Sequence, residues 1–504
     1  RSASNSMFRT VETASGKVQG IVDGPVVEFR GIPYGASTAG SNRFMPPRKP
    51  ASWTGVRECF GHGPISPQGS LPGWDFRTEY FQLIFWDRHV GGMSEDCLTL
   101  NISTPGVNDG AKRAVLVSFH GGNFDRGSGN APIYDGKNLA TFGDVVVVTV
   151  NHRLGLLGYL GLAEVGAPSE FASSGVAGAL DMALALEWVR DNIAAFGGDP
   201  SRVMIFGQSG GGGKVAALMA MPRASGLFHR AAIQSGGGLG LDDREEAAAK
   251  AQALLKHLGL SKNSVRRLQQ LPWQALLDAQ SQLELTDFAP VLGGRDLPHH
   301  AFDADAPVVS ANVPLIVGST LEDAAMFERN FDLDSEGLRQ RVMQNFPEQG
   351  SQILQAYLDH AAGKSPFLIQ AQIASDRSYR RPVLRQIEQR SQRAQAPVYN
   401  YLWTWPSPAY DGKFGAVHCI DVAASFNNAR DPVIGSGSAM AHEMCARLAS
   451  AWVNFARTGS PRSKDGLEWA PFESGRRATM IFGDTARVEL DPRGQLRRLW
   501  EGLA

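Results

Sequence analysis

RVMIFGQSGGGGKVAALMAM, residues 202–221, runs from a short apolar stretch through a glycine-rich turn into an alanine-rich segment. The apolar stretch at 203–206 has the composition of a buried strand, and the alanine-rich segment that of a helix. Between them, Gly207 and Gly211 bracket Ser209 in a G-x-S-x-G pattern. A serine at such a strand-turn-helix junction lies on strained backbone with its hydroxyl exposed above the sheet edge. We therefore predict that Ser209 is a nucleophile.

Further apolar runs extend this pattern into a sheet. AVLVSF at 114–119 and VVVVTV at 145–150 have the composition of fully buried strands, and an amphipathic helix is predicted over 176–188. Strands separated by stretches long enough for a helix are typical of a mostly parallel sheet covered on both faces. The sequence predicts an α/β fold whose last clear core strand lies at 398–405. No linker or repeat divides the chain, so residues 1–504 are predicted to form a single domain.

Composition and charge exclude several classes of protein. Apolar residues make up 43% of the chain and charged residues 20%, as in an ordinary globular protein. Lys plus Arg (49) and Asp plus Glu (50) nearly cancel, so neither nucleic acid nor an acidic membrane surface is predicted as a partner. No apolar stretch reaches the length of a membrane span. Four cysteines without paired spacing argue against a zinc site, so no metal is predicted.

The chain begins with RSASNSM, which is typical of a processed N-terminus or an expression remnant. If a signal peptide has been removed, a secreted or periplasmic protein is expected, and otherwise a cytoplasmic one. The sequence leaves monomer and homodimer as alternatives.

A second glycine-rich turn, His120-Gly121-Gly122-Asn123, follows the strand at 114–119. Backbone amides in a turn at the carboxyl end of a central strand can converge on one point, as an oxyanion hole requires. His120 is predicted to hold this loop rather than to react, because the chemistry of such a turn belongs to its backbone amides.

A serine nucleophile needs an imidazole to accept its proton and a carboxylate to orient that imidazole. In chains with the order serine, acid, histidine, the acid follows a later strand. Glu322 and Asp323 both follow the apolar run at 314–317, and the residues alone do not choose between them. His418, beyond the last clear strand, has the position expected of the base, and His442 in a helix-like segment is the alternative.

Aromatic residues crowd the segment 71–90, which otherwise resembles a loop. One interpretation is a hydrophobic cluster beneath the loop, and the other is the wall or lid of a substrate gorge. The residues are Trp74, Phe76, Tyr80, Phe81, Phe85 and Trp86.

The chain resembles the type B carboxylesterase family, which includes acetylcholinesterase, bacterial p-nitrobenzyl esterases and fungal lipases and has the α/β-hydrolase fold. The matching stretches cover nearly the whole chain in the family's order. They are FRGIPYG (29–35), RFMPP (43–47), SEDCLTLNI (94–102), FHGGNF (119–124), VVVVTVNHRLGLLGYL (145–160), ALDMALALEWVRDNIAAFGGDP (179–200), IFGQSGGGG (205–213), GAVHCID (415–421) and FARTGSP (455–461).

This resemblance implies a triad of Ser209, Asp323 and His418, because the family's acid stands five residues after the glycine of its strand, here Gly318. It implies hydrolysis of small carboxylic esters through an acyl-enzyme, with no cofactor. Hydrolysis of amides, carbamates or lactones at the same site is an alternative. A non-catalytic interaction protein, as in neuroligin, is the alternative from a different class.

The resemblance also places an oxyanion hole at the backbone amides of Gly121, Gly122 and Gly210. Gln208 and Trp86 are expected to contact the substrate. The family's usual glutamate before the nucleophile is replaced here by Gln208, which removes a negative charge from the floor of the pocket. We therefore expect cationic choline esters to be poor substrates and esters that carry a carboxylate to be better tolerated.

Two structural ion pairs are implied by the resemblance, Arg43 with Glu95 and Arg153 with Asp181. The family often joins a cysteine at the position of Cys97 to one just before Pro-Gln, where this chain has a serine, Ser66. Cys59 is the alternative disulfide partner.

Overall fold

A single large sheet organises the chain. The computed structural model describes residues 6–69, 77–86, 92–236, 240–303, 309–361, 363–393 and 395–503, so Trp74 and Phe76 of the aromatic segment lie outside the described residues. The strands are β1 (Phe8–Thr13), β2 (Gly16–Asp23), β3 (Val26–Pro33), β4 (Val56–Glu58), β5 (Thr99–Thr104), β6 (Arg113–Phe119), β7 (Val146–Val150), β8 (Gly198–Gln208), β9 (Arg230–Gln234), β10 (Leu315–Thr320), β11 (Val398–Trp403), β12 (Ala478–Phe482) and β13 (Ala486–Leu490).

The strand order is β1-β2-β3-β5-β7-β6-β8-β9-β10-β11-β12-β13, with β4 paired to β2. The strands β7, β6, β8, β9, β10, β11 and β12 are parallel, while β1, β2, β3 and β5 form an antiparallel extension at one edge and β13 pairs antiparallel at the other. The predicted mostly parallel α/β sheet is confirmed. Two strands, β12 and β13, continue the sheet beyond the strand that the sequence predicted as the last clear one.

Helices pack on both faces of this sheet. The segments 203–206 and 114–119 are buried and alternate between two apolar clusters, so that Val203 and Ile205 of β8 face one cluster while Met204 and Phe206 face the other. The helices are α1 (Glu79–Ile84), α2 (Lys137–Gly143), α3 (Gly155–Tyr159), α4 (Ala177–Asn192), α5 (Gly210–Ala220), α6 (Arg244–His257), α7 (Trp273–Gln282), α8 (Ser335–Asn345), α9 (Gly350–His360), α10 (Pro366–Ser375), α11 (Arg381–Arg393), α12 (Ile420–Ser425), α13 (Ala439–Thr458) and α14 (Gly494–Leu503).

Both implied ion pairs are present and buried. The guanidinium of Arg43 donates to both carboxylate oxygens of Glu95 at 2.8 and 2.6 Å. That of Arg153 donates to both oxygens of Asp181 at 2.9 and 2.7 Å. Removing one partner from such a pair leaves a buried charge uncompensated and costs about 3–5 kcal/mol. The two pairs therefore hold the loops after β3 and β7 in place.

All four cysteines, Cys59, Cys97, Cys419 and Cys445, are buried free thiols, so the alternative pairing of Cys59 with Cys97 is not formed. Within the described ranges, no helix combines the length and apolarity needed to cross a bilayer. That residues 1–504 form a single domain stays a prediction.

Candidate active site

The turn between β8 and α5 places Ser209 on strained backbone, with φ +58° and ψ −119°. The neighbouring glycines leave no space for side chains. A β-carbon on Gly207 would lie 2.3 Å from the carbonyl carbon of Gly211, and one on Gly211 would lie 2.1 Å from the carbonyl oxygen of Phe119. The amide of Ser209 donates to the carbonyl of Gln234 on the adjacent strand at 2.7 Å. The predicted strand-turn-helix junction is therefore present, and its conformation depends on glycine.

Asp323 and His418 meet in the core of the site. Nδ1 of His418 lies 2.6 Å from Oδ1 of Asp323, and both side chains are buried. The other oxygen of Asp323 accepts from the Ser235 hydroxyl at 3.0 Å and from the Thr320 amide at 3.0 Å. An ionised carboxylate only accepts hydrogen bonds, so the imidazole proton is assigned to Nδ1. Nε2 is then the nitrogen that can accept a proton.

Glu322 has different partners, although it adjoins Asp323. Its Oε1 accepts from the Ala416 amide at 2.8 Å, and its Oε2 accepts from the Gln372 side chain at 2.8 Å. Lys364 lies 3.5 Å from Oε1. Glu322 therefore braces the loop that leads to the histidine and does not orient the imidazole.

The two histidine candidates differ in their burial. His442, the alternative base, lies on an exposed position of α13, whereas His418 is buried against Asp323. The structure therefore brings together one of the two predicted acids and one of the two predicted bases.

Several residues that support this pair were missed from the sequence. The Tyr80 hydroxyl donates to the carbonyl of His418 at 2.9 Å. Asp421 accepts from the Tyr401 hydroxyl at 2.5 Å. Burial, and then the nearby charge of Asp323, raises the pKa of Asp421 to about 6. Asp421 follows His418 by three residues within the GAVHCID stretch, but nothing local to that stretch indicates that the side chain is buried.

A π-helical turn, Asp376–Arg380, joins α10 to α11 and packs against the same loops. The ring of Tyr379 in this turn lies 5.2 Å from the imidazole of His418, centroid to centroid, and stacks on Phe327 at 6.5 Å. Arg380 donates to the carbonyl of Leu321 at 3.1 Å. The contact of Tyr379 with His418 places this segment beside the candidate site. Turns of the π-helical type often occur at functional sites.

The glycine turn after β6 differs from the prediction at Gly121. The Gly121 amide donates to the Tyr134 hydroxyl at 2.9 Å, so it does not face the nucleophile as predicted. Asn123 lies directly against the elbow, since a β-carbon on Gly210 would lie 2.3 Å from its amide nitrogen. Both Gly122 and Asn123 have positive φ, at +100° and +54°. The Gly121 amide and the Asn123 amide of this turn thus have different neighbours, since the first bonds to Tyr134 and the second lies against Gly210.

The residues predicted to contact the substrate, Gln208 and Trp86, lie close to this turn. Gln208 is 3% exposed, and its Oε1 accepts from the thiol of Cys419 at 3.4 Å, which joins the elbow to the loop of the catalytic histidine candidate. Trp86 is 4% exposed, and its ring packs so closely that a β-carbon on Gly122 would lie 2.5 Å from Cζ2. Both side chains are therefore buried within or beside this turn, and their contact with a substrate stays a prediction.

Comparison with known proteins places the chain among esterases. A family profile described as the carboxylesterase family matches residues 8–500. The chain is 32% identical to the para-nitrobenzyl esterase of Bacillus subtilis, over 97% of each chain, and 33% identical to the phenmedipham hydrolase of Pseudarthrobacter oxydans, over 94% of each. The solved structure of an esterase from anaerobic Clostridium hathewayi that can hydrolyse aliphatic aromatic polyesters superposes with a TM-score of 0.85 at 32% identity. That comparison covers 98% of both chains.

The different partners of Asp323 and Glu322 lead to opposite expectations for two isosteric substitutions. Asp323→Asn would present an amide to Nδ1 and favour the wrong tautomer, so we expect labelling of Ser209 by a fluorophosphonate probe to slow by roughly 10³–10⁴-fold. Glu322→Gln should leave the labelling rate within about tenfold and lower the free energy of unfolding by about 1–3 kcal/mol. Labelling rates and urea unfolding measure the two effects. Equal losses of labelling in both variants would contradict the assignment.

Proposed function

The chain belongs to the carboxylesterase family and is a carboxylic ester hydrolase, and from this we propose that it acts through a covalent acyl-enzyme on Ser209. His418 serves as general base and then general acid, and Asp323 orients its ring. Two observations carry this proposal, namely the buried contact of 2.6 Å between His418 and Asp323 and the strained backbone of Ser209 at the turn between β8 and α5.

In the first step, His418 Nε2 removes the proton of the Ser209 hydroxyl while Oγ attacks the ester carbonyl. The carbonyl oxygen becomes an oxyanion, and the protonated imidazole is stabilised by the Asp323 carboxylate. The imidazolium then gives its proton to the leaving alcohol as the bond to that oxygen breaks. Water repeats the sequence on the acyl-serine, so the acid is released and the free hydroxyl is restored.

We assign the oxyanion hole to the backbone amides of Gly122, Asn123 and Gly210. Backbone donors fixed before the reaction stabilise a developing charge without reorganising during the step. The close approach of Gly210 to the Asn123 amide supports this set, and the bond from Gly121 to Tyr134 argues against Gly121. We define the oxyanion turn as residues 120–124. In this proposal the turn supplies the amides of Gly122 and Asn123, whereas the sequence predicted those of Gly121 and Gly122.

The proposal is tested by assaying p-nitrophenyl acetate, butyrate and octanoate beside the matched amide p-nitroacetanilide. We expect Ser209→Ala to lower kcat on the esters by at least about 10⁴-fold, because the nucleophile and its base act as a unit. Ser201→Ala, an exposed serine on β8, is the control and should retain activity. Faster hydrolysis of the amide than of the acetate would favour an amidase. A folded wild-type protein that neither cleaves these substrates nor reacts with a fluorophosphonate would favour the non-catalytic alternative.

We further propose that the site does not favour cationic substrates, since Gln208 carries no charge. The test compares kcat/KM for acetylcholine with that for its neutral analogue 3,3-dimethylbutyl acetate. In the wild type we expect kcat/KM for acetylcholine to be no higher than that for the neutral analogue. Gln208→Glu should raise the ratio of the acetylcholine value to the analogue value by about tenfold, as expected for a new charge pair in a partly screened site. Gln355→Glu, which adds the same charge at an exposed position of α9, should leave the ratio unchanged. A strong wild-type preference for acetylcholine would refute the proposal.

A further inference from the structure

A buried lysine lies directly behind the oxyanion turn. Lys214 is on α5, five residues after the nucleophile, and its side chain is fully buried. Among the described residues it forms no ion pair within 4 Å, unlike the buried arginines Arg43 and Arg153. A buried ammonium is costly unless it is paired, so its retention beside the active site calls for a role.

The ammonium of Lys214 contacts the backbone of the oxyanion turn. Its Nζ donates to the carbonyl of His120 at 2.7 Å, and Nδ1 of His120 lies 2.7 Å from the carbonyl of Gly121. A carbonyl only accepts, so the Nδ1 proton of His120 points at that carbonyl, and the ring is not an acceptor for Nζ at 3.5 Å. The two donors therefore fix two successive peptide groups, those of residues 120–121 and 121–122.

These two peptide groups determine where the amides of the turn point. The carbonyl of Gly121 and the amide of Gly122 belong to one rigid plane, so a donor that holds the carbonyl at the back directs the amide to the front. Lys214 acts one peptide earlier, on the carbonyl whose plane carries the Gly121 amide that bonds to Tyr134. The ammonium thus supports the arrangement that leaves Gly122 and Asn123 facing the elbow.

We propose that Lys214 is a positioning residue of the oxyanion hole, which holds the oxyanion turn from behind and adds positive charge beneath the oxygen of the tetrahedral intermediate. This inference rests on the proposed acyl-enzyme mechanism. A neutral donor could make the same bond to His120 with less desolvation, so the charge itself is the feature that a purely structural role leaves unexplained.

The charge of Lys214 has little compensation from carboxylates, and its Nζ lies 5.9 Å from the centroid of the Phe124 ring. Among the described residues, Asp125 is the carboxylate that favours the charged form, and it is itself engaged with Arg126 at 3.5 Å. His120 stacks on His152, whose ring centroid lies 5.0 Å away and whose pKa burial lowers well below its usual value, so His152 is neutral. Asp287 acts on the Asp125 and Arg126 pair from a greater distance. Burial lowers the pKa of Lys214 to about 7.

The direction of the pH effect follows from these groups. Lys214 is charged below a pH of about 7 and loses its charge above it, so its contribution declines as the pH rises. A wild-type profile of kcat/KM with an alkaline decline that depends on Lys214 is therefore expected.

The test replaces the lysine with Lys214→Met, which keeps the length and removes the donor and charge, and with Lys214→Gln, which keeps an amide donor without charge. On p-nitrophenyl acetate we expect Lys214→Met to lower kcat by about 10–100-fold with KM within about threefold, less than the loss of a direct oxyanion donor. Affinity for a trifluoromethyl ketone, whose hemiketal oxygen occupies the same hole, should fall by a similar factor. The alkaline decline should disappear. Lys137→Met, at a partly exposed lysine of α2, is the control and should behave as the wild type.

The outcomes distinguish a failure of the Lys214 inference from a failure of the acyl-enzyme mechanism on which it rests. A folded Lys214→Met with wild-type kcat, inhibitor affinity and pH profile would overturn the role of Lys214 while Ser209→Ala stays inactive. If Ser209→Ala instead retained the wild-type activity, the acyl-enzyme proposal would be overturned. If Lys214→Met fails to fold, Lys214→Gln and the wild-type profile decide. An alkaline decline that Lys214→Gln removes supports the inference, and a decline that it leaves unchanged overturns it.

Discussion

The packing of backbone against backbone around Ser209 is the constraint on which the rest of the site depends. Gly211 approaches the carbonyl of Phe119 and Gly210 approaches the amide of Asn123, with no space for a side chain at either glycine. This contact fixes the distance between the elbow and the turn after β6, so Ser209 and the amides that we propose as oxyanion donors form one rigid unit. The strain at Ser209 is held by the surrounding sheet, as is usual for unfavourable backbone at functional sites.

Buried charge around this unit is divided among groups with separate tasks. Asp323 orients the imidazole, Glu322 braces the loop before it, and Asp421 binds Tyr401. Two adjacent carboxylates can have such different roles because their hydrogen-bond partners come from different elements of the fold. Lys214 donates to the oxyanion turn at His120, and in our proposal its positive charge complements the negative charge that the reaction develops.

The sequence predicted what local composition and the family resemblance determine. The apolar runs predicted the central strands, the glycine pattern predicted the elbow, and the resemblance favoured Asp323 over Glu322, whose bonding in the structure agrees with that choice. The prediction for Gly121 did not fit, because the direction of an amide depends on a peptide plane that the distant Tyr134 hydroxyl holds. The role of Lys214 was likewise unpredictable, since an alanine-rich helix gives no sign that one lysine points into the core.

The central claim is that an acyl group passes through Ser209. The most direct measurement mixes p-nitrophenyl acetate with the protein on a stopped-flow time scale, quenches in acid, and maps the acetylated peptide by mass spectrometry. The account predicts a burst of p-nitrophenol of about one equivalent per chain, as acyl-enzyme accumulation produces, with the acetyl group on the peptide that contains Ser209. Turnover without any acetylated serine would contradict this account. So would an acetyl group on another residue, if it forms and disappears at the rate of turnover.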